Sequence, residues 1–265
     1  MTWTRKTALP IVTALVFILV YAPIMIIGLL SINASSTAQS FTHFSVKWYI
    51  EIFNDTALLG AIQTTLLIAF ISTTIATLAG TLIAIGINSL SRSRRLNMLM
   101  LNNVPVVNPD IVTGIGLMVV FGLLPLSFGF HTMLLAHIFF SIPFVVLSVL
   151  PKLKELDKDL FDAALDLGCT WYEAIYKVLI PAIKTGIITG ALIAFTMSID
   201  DFVISYFTSG NGVQNVSLWI YARLNRRNFS PAVYAYNTII TLITIGILTW
   251  LNTMQIKKKK RSLDK

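Results

Sequence analysis

The sequence predicts an all-α membrane protein with about six transmembrane helices. Of its 265 residues, 55% are hydrophobic and only 12% are charged, about half the roughly 25% charged share of an average soluble domain. The apolar residues fall in long blocks, and about 20 such residues cross a hydrocarbon core at about 1.5 Å per residue. The basic residues cluster at the ends of those blocks, which is the distribution that membrane orientation selects. That clustering accounts for the net charge of +8 without any affinity for nucleic acid.

The blocks run over about 9–32, 61–87, 98–124, 132–150, 186–207 and 233–254, and the chain reads as one transmembrane domain, 1–265. The first block is longer than the roughly 7–15 residue core of a signal peptide, so it is read as an uncleaved anchor. In the third, Asn102, Asn103, Asn108, Pro109 and Asp110 interrupt the apolar run. Such interruptions are tolerated only where protein or water surrounds them. In the fifth, Gly186 and Gly190 are spaced for close helix packing.

Six spans place both termini on one side. With the termini in the cytoplasm, the inner segments hold Arg5, Lys6, Arg92, Arg94, Arg95, Lys152, Lys154, Lys158, Lys177, Lys184, Lys257 to Lys260, Arg261 and Lys265. The outer segments hold Lys47, Arg223, Arg226 and Arg227. The excess of basic residues inside sets the orientation. The external arginines are its one poor fit.

The loop between the fourth and fifth blocks, 152–182, reads KLKELDKDLFDAALDLGCTWYEAIYKVLIP from Lys152. It predicts two short helices. Asp157 or Asp159 can cap the first, with Phe161, Ala164 and Leu165 on one face. Gly168 suits the left-handed position that ends it. Thr170-Trp171-Tyr172-Glu173 is a capping-box pattern that starts the second, and Pro181 resets the chain before the fifth block.

This loop resembles the EAA motif of ABC importer permeases. Asp162-Ala163-Ala164 stands for E-A-A, Gly168 follows at the family spacing, and Val178-Leu179-Ile180-Pro181 closes the pattern. Asp replaces Glu, Val replaces Ile and Ile replaces Leu. The shorter Asp162 must re-fit any contact the usual Glu makes. The resemblance implies the ABC importer permease fold, with a cytoplasmic coupling helix carried by Asp162, Ala163, Ala164, Gly168 and Pro181. It implies a second permease, homologous or identical, two cytoplasmic ATPase subunits, an external substrate-binding protein, and multi-pass residence in a bacterial inner membrane. ATP-driven closure of the ATPase pair would push the coupling helices and switch the permease between inward- and outward-facing states. Residues His43–Asp55 and Asn211–Ser230 are expected to form much of the outer docking surface.

The likeness extends to Pro109-Asp110-Ile111-Val112, to Ser198-Ile199-Asp200-Asp201-Phe202-Val203 with Ser205, and to Phe41-Thr42 and Lys47-Trp48-Tyr49. These are similar to the spermidine/putrescine importer permeases, most of all the second of that pair.

Asp110, Asp200 and Asp201 are the acidic residues inside the blocks. Each costs at least about 2.5–3.5 kcal/mol to insert, so a cavity, a partner group or a passing cation must offset it. On straight helices Asp110 and Asp200 would lie about twelve and fourteen residues from the cytoplasmic end, on the order of 20 Å deep. Asp200 and Asp201 would diverge by about 100° around one helix. A path for a polyamine needs separated carboxylates with apolar or aromatic walls, for which Phe195, Tyr206 and Phe207 are candidates. The alternative is that the aspartates hydrogen-bond neighbouring backbone or a partner subunit.

No G-x-x-x-x-G-K-[ST] loop and no H-E-x-x-H motif occurs, so ATP is expected on a partner subunit and no cofactor on this one. His43, His131 and His137 lack metal-ligand spacing and are read as packed or helix-end histidines. Cys169 is the sole cysteine, which excludes an intrachain disulfide. The rival readings are an ABC permease for another solute, an ion-gradient-driven transporter, and an intramembrane hydrolase using Asp110 with Asp200.

Overall fold

A computed structural model describes residues 3–35, 41–157, 159–224 and 231–263. Their regular structure is helical apart from one isolated antiparallel bridge between Asn33 and Phe44. The chain forms two compact units, Met1–Leu59 with Ile220–Lys265, and Gly60–Trp219.

In the first unit, α1 (Trp3–Ser31) packs against α13 (Ala232–Leu263), which also meets α2 (Lys47–Asn54). The stretch Pro10–Ser31 of α1 is apolar and most of its side chains are exposed in this chain. A helix that is apolar on all sides belongs in lipid or against another subunit. α2 is amphipathic. It buries Trp48 and Ile52, and Trp48 Nε1 donates to the Asn33 carbonyl at 2.7 Å. Asp55 accepts the Leu58 N–H at 3.0 Å and pairs with Arg223. That ion pair gives Arg223, the first of the three arginines expected outside, a partner; Arg226 and Arg227, with the rest of 225–230, lie outside the described residues.

The second unit holds α3 (Thr56–Ser89, from Gly60), α4 (Arg92–Val107), α5 (Asp110–Leu123), α6 (Phe130–Glu155), α7 (Asp159–Asp166), α8 (Trp171–Ala174), α9 (Ile180–Ala182), α10 (Lys184–Asp200), α11 (Val203–Thr208) and the start of α12 (Val216–Leu224), up to Trp219. Its core joins Ala84 and Ile87 of α3 to Val145, Val146 and Val149 of α6 and Ala194 of α10. Glycine makes this approach possible. A Cβ on Gly190 would stand 3.1 Å from Val145 Cα, and one on Gly186 would stand 3.0 Å from the Ser148 carbonyl. The Gly186/Gly190 spacing thus seats α10 on α6.

Among the described residues three helices are long and apolar enough to cross a membrane: Pro10–Ser31, Thr56–Ser89 and Phe130–Glu155. The expected spans 98–124 and 186–207 are not single helices. The former is α4 and α5, bent by 102°. The latter begins in a pair bent by 71° around Ile183 and leaves the helix again after Asp200. Counting each bent pair as one span gives five. The sixth expected span falls on α13, whose described apolar part is Ala232–Gly246. Most side chains over 247–254 lie outside the described set.

Candidate functional site: a coupling loop and two helix breaks

The loop after α6 folds as its turn residues dictate. Asp157 Oδ1 accepts the Asp159 N–H at 3.2 Å and starts α7. Gly168 sits at φ +87°. Its N–H reaches the Leu165 carbonyl at 2.9 Å, and the Cys169 N–H reaches the Ala164 carbonyl at 3.1 Å, the two bonds of a Schellman stop. Thr170 and Glu173 then cap each other: Thr170 N–H donates to Glu173 Oε2 at 2.9 Å, and Glu173 N–H to Thr170 Oγ1 at 3.4 Å. The Lys177 ammonium, 2.7 Å from Glu173 Oε1, and the Thr170 donors pull the Glu173 carboxyl down to about 2. The ionised cap therefore stabilises the loop above the ordinary glutamate range, and that contribution is lost progressively as pH falls from there through about 2.

Pro181 does not bend the chain where it stands. Residues Ile175–Leu179 widen into a π-helical turn, with the Ile180 N–H on the Ile175 carbonyl. Such a turn absorbs the proline's missing N–H and its clash with the preceding turn. The bend comes two residues later, at Ile183 (φ −97°, ψ 7°). α8, the π turn and α9 thus form one helical lever into α10. Of the EAA-like residues, Ala164 is buried, while Asp162, Ala163, Gly168 and Pro181 are exposed. Leu167 is 87% exposed and Tyr172 79%, a tip that suits a protein partner. Beside it lies a cavity of about 440 Å³, lined by Leu82, Ile85, Leu153, Phe161, Trp171 and Ile175 among others.

The aspartates occupy the helix breaks. Asn108 is extended (φ −67°, ψ 138°) ahead of Pro109, the conformation that a following proline favours. Asp110 is the exposed first residue of α5, where the helix dipole favours a carboxylate. The depth estimate for Asp110 along a straight span therefore fails. Asp200 is the exposed last residue of α10. Asp201 is not on that helix. It is extended (φ −66°, ψ 129°), so the two carboxylates are separated by a backbone turn rather than by helical rotation.

Asp201 is also the committed one. It accepts from Ile204 N–H (3.2 Å), Ser205 N–H (2.7 Å) and Ser205 Oγ (2.8 Å). His137 of α6, 1% exposed, lies 3.5 Å from the same carboxylate. The ring bridges the break: Nδ1 is 2.7 Å from Ser198 Oγ in α10, and Nε2 is 3.0 Å from Ser205 Oγ in α11. Asn215 Nδ2 donates to Ser205 Oγ at 2.8 Å, and Ser72 Oγ of α3 stands 3.3 Å from Ser198 Oγ. The sequence reading took His137 for an ordinary packed histidine. The signal it passed over is a histidine inside a span, which is costly in a membrane unless it has partners.

The aromatic candidates part company. Phe195 is partly buried, with its ring centroid 5.0 Å from that of Phe70. Tyr206 is half exposed and meets Phe207 edge to face at 5.4 Å. Phe207 lies on Gly114 of α5, where a Cβ would come within 2.9 Å of its ring. Among the described residues no group of three His, Cys, Asp or Glu side chains could hold a metal ion.

Residues 76–261 match the family model described as the binding-protein-dependent transport system inner membrane component. The chain is 34% identical over 230 residues to the spermidine/putrescine transport system permease protein PotC of Escherichia coli K12, covering 87% of each. It is 30% identical over 259 residues to the putrescine transport system permease protein PotI of the same organism, covering 94% of this chain and 92% of the relative. Among solved structures it resembles a chain of a bacterial ABC transporter that imports the acidic polysaccharide alginate, with TM-score 0.70 at 14% identity over 95% of each chain. It also resembles a chain of the inward-facing MetNI methionine ABC transporter, with TM-score 0.58 at 16% identity over 75% of this chain and 94% of that one. At those identities the two structures establish the fold.

Proposed function

The chain belongs to the family of binding-protein-dependent transport system inner membrane components, and on that premise we propose that it forms part of the membrane path by which an ATP-driven importer brings spermidine or putrescine into the cytoplasm. The observation that carries the solute class is the identity to PotC and PotI over most of both chains. The exposed Asp110 and Asp200 agree with it, because each lies at a break in a span and can meet an ammonium group. Phe195, Tyr206 and Phe207 are the candidates for walls along the methylene chain.

Permeases of this kind work with ATPase subunits and a periplasmic binding protein. In this reading a second permease, homologous or identical, completes the path, and two ATPases take the α7–α8 tips from the cytoplasm. The inward bias of lysine and arginine puts both termini on that side. The lever from α8 through α9 into α10 carries ATPase motion to the helix that ends in Asp200, coupling through a two-state element.

The test is ATP-dependent uptake of labelled spermidine and putrescine in proteoliposomes holding the whole assembly. Asp110→Asn and Asp200→Asn should each slow uptake about tenfold or more at equal membrane protein, the scale of one lost charge-assisted contact. Parental uptake in both, and in the triple variant with Asp201→Asn, would remove the aspartates from the path. Transport of neither polyamine by the parental assembly would remove the solute class.

A further inference from the structure

The His137 cluster has a hydrogen-bond direction that can be worked out. Ser205 has one hydroxyl hydrogen, and it goes to Asp201 Oδ2 at 2.8 Å. Asn215 Nδ2 already donates to Ser205 Oγ. The 3.0 Å contact with His137 can then exist only if Nε2 carries a hydrogen and donates it. Nδ1 is left to meet Ser198 Oγ at 2.7 Å on the other side of the break. One ring on α6 thus grips the last turn of α10 through Ser198 and the first turn of α11 through Ser205. Neither glycine nor proline occurs between Ser198 and Thr208 to set that break locally.

We propose that His137 is the positioning residue of the transport path: it holds the α10–α11 break in one geometry and keeps Asp201 capping α11, so that Asp200 is the member of the aspartate pair that meets substrate. This rests on the polyamine reading for its substrate but on the cluster alone for its geometry. Asp201 is spent on three donors, whereas Asp200 is exposed at the end of its helix. A group that touches no substrate can still govern rate when it fixes the one that does, because a displacement of about 1 Å can cost up to about a hundredfold.

The experiment uses the full chain assembled with its partners in proteoliposomes, with His137→Ala and the more conservative His137→Gln, which keeps a donor. His137→Ala should lower the maximal uptake rate about tenfold at unchanged membrane abundance and unchanged half-saturation by the loaded binding protein, and His137→Gln should recover much of it. Adding Asp200→Asn to His137→Ala should cost little more, because the two act as a unit. Parental uptake in His137→Ala, a loss that only follows abundance in both variants, or full additivity with Asp200→Asn would overturn the proposal. A readout independent of substrate is the ¹⁵N imidazole spectrum of the labelled assembly, with His137 identified by its loss in His137→Gln. A hydrogen on Nε2 is expected, and a ring protonated on Nδ1 alone would overturn the proposal. If the parental assembly moves neither polyamine, the solute reading falls, and the imidazole spectrum still decides the geometry.

Discussion

The two helix breaks that expose Asp110 and Asp200 are built in opposite ways. At 108–109 the chain turns through 102° where Asn108, extended ahead of a proline that disfavours the helical conformation before it, separates α4 from α5. At 201–202 no proline or glycine intervenes. There the departure from the helix is held by Asp201, by Ser198 and Ser205, and by a histidine from α6. The first break has a local device, the proline that follows Asn108. The second depends on partners, so it can be shifted by any group that changes them. That makes the second the better place for a conformational step, and α10 is also where the helical run from the 152–182 loop arrives.

Three substitutions test that contrast. The largest effect is expected at Asp201. Asp201→Ala strips the acceptor from three donors, and hydrogen bonds to a charged group contribute about 1.5–3 kcal/mol each. A loss of about 4 kcal/mol or more is expected, seen as lower thermal stability in detergent and lower membrane abundance. A variant as stable as the parent would mean that the second break does not depend on its cluster.

Next comes Pro109→Ala. Alanine favours a continuing helix over proline by about 3 kcal/mol. If the first break is local, the bend should open, and spin labels at the exposed Leu101 and Val119, in a Cys169→Ser background, should move apart. An unchanged distance would show that tertiary contacts hold this break too, and the contrast would collapse.

The smallest effect is at the coupling loop, which extends the local principle to a protein contact. No atom lies within 4 Å of a Cβ placed on Gly168, so Gly168→Ala is opposed only by its φ of +87°, at about 1–2 kcal/mol. ATPase affinity should fall about tenfold while insertion and abundance stay parental. Unchanged affinity would leave the loop without its proposed role.

What could be read from the chain alone is what short-range rules govern. The apolar blocks announced the spans because burial in lipid depends on composition over about 20 neighbouring residues. Gly168, Thr170 and Glu173 announced the loop because turn and cap chemistry reaches only three or four residues. Asn108 and Pro109 marked an interruption in the third span, although a 102° turn is more than an interruption. Pro181 misled by two residues, because a π turn absorbed it and moved the bend to Ile183.

The α10–α11 break lay beyond that range. Ser198 and Ser205 stand 61 and 68 residues from His137 in sequence, and Ser72 stands 126 from Ser198. No local pattern joins such residues. By itself the sequence determined that the chain is helical, membrane-borne and equipped with a capped two-helix loop at 152–182. Only the packing of α3, α6, α10 and α11 decided which of two adjacent aspartates caps a helix and which is left exposed, because a buried polar group takes its role from whichever donors the tertiary fold brings to it.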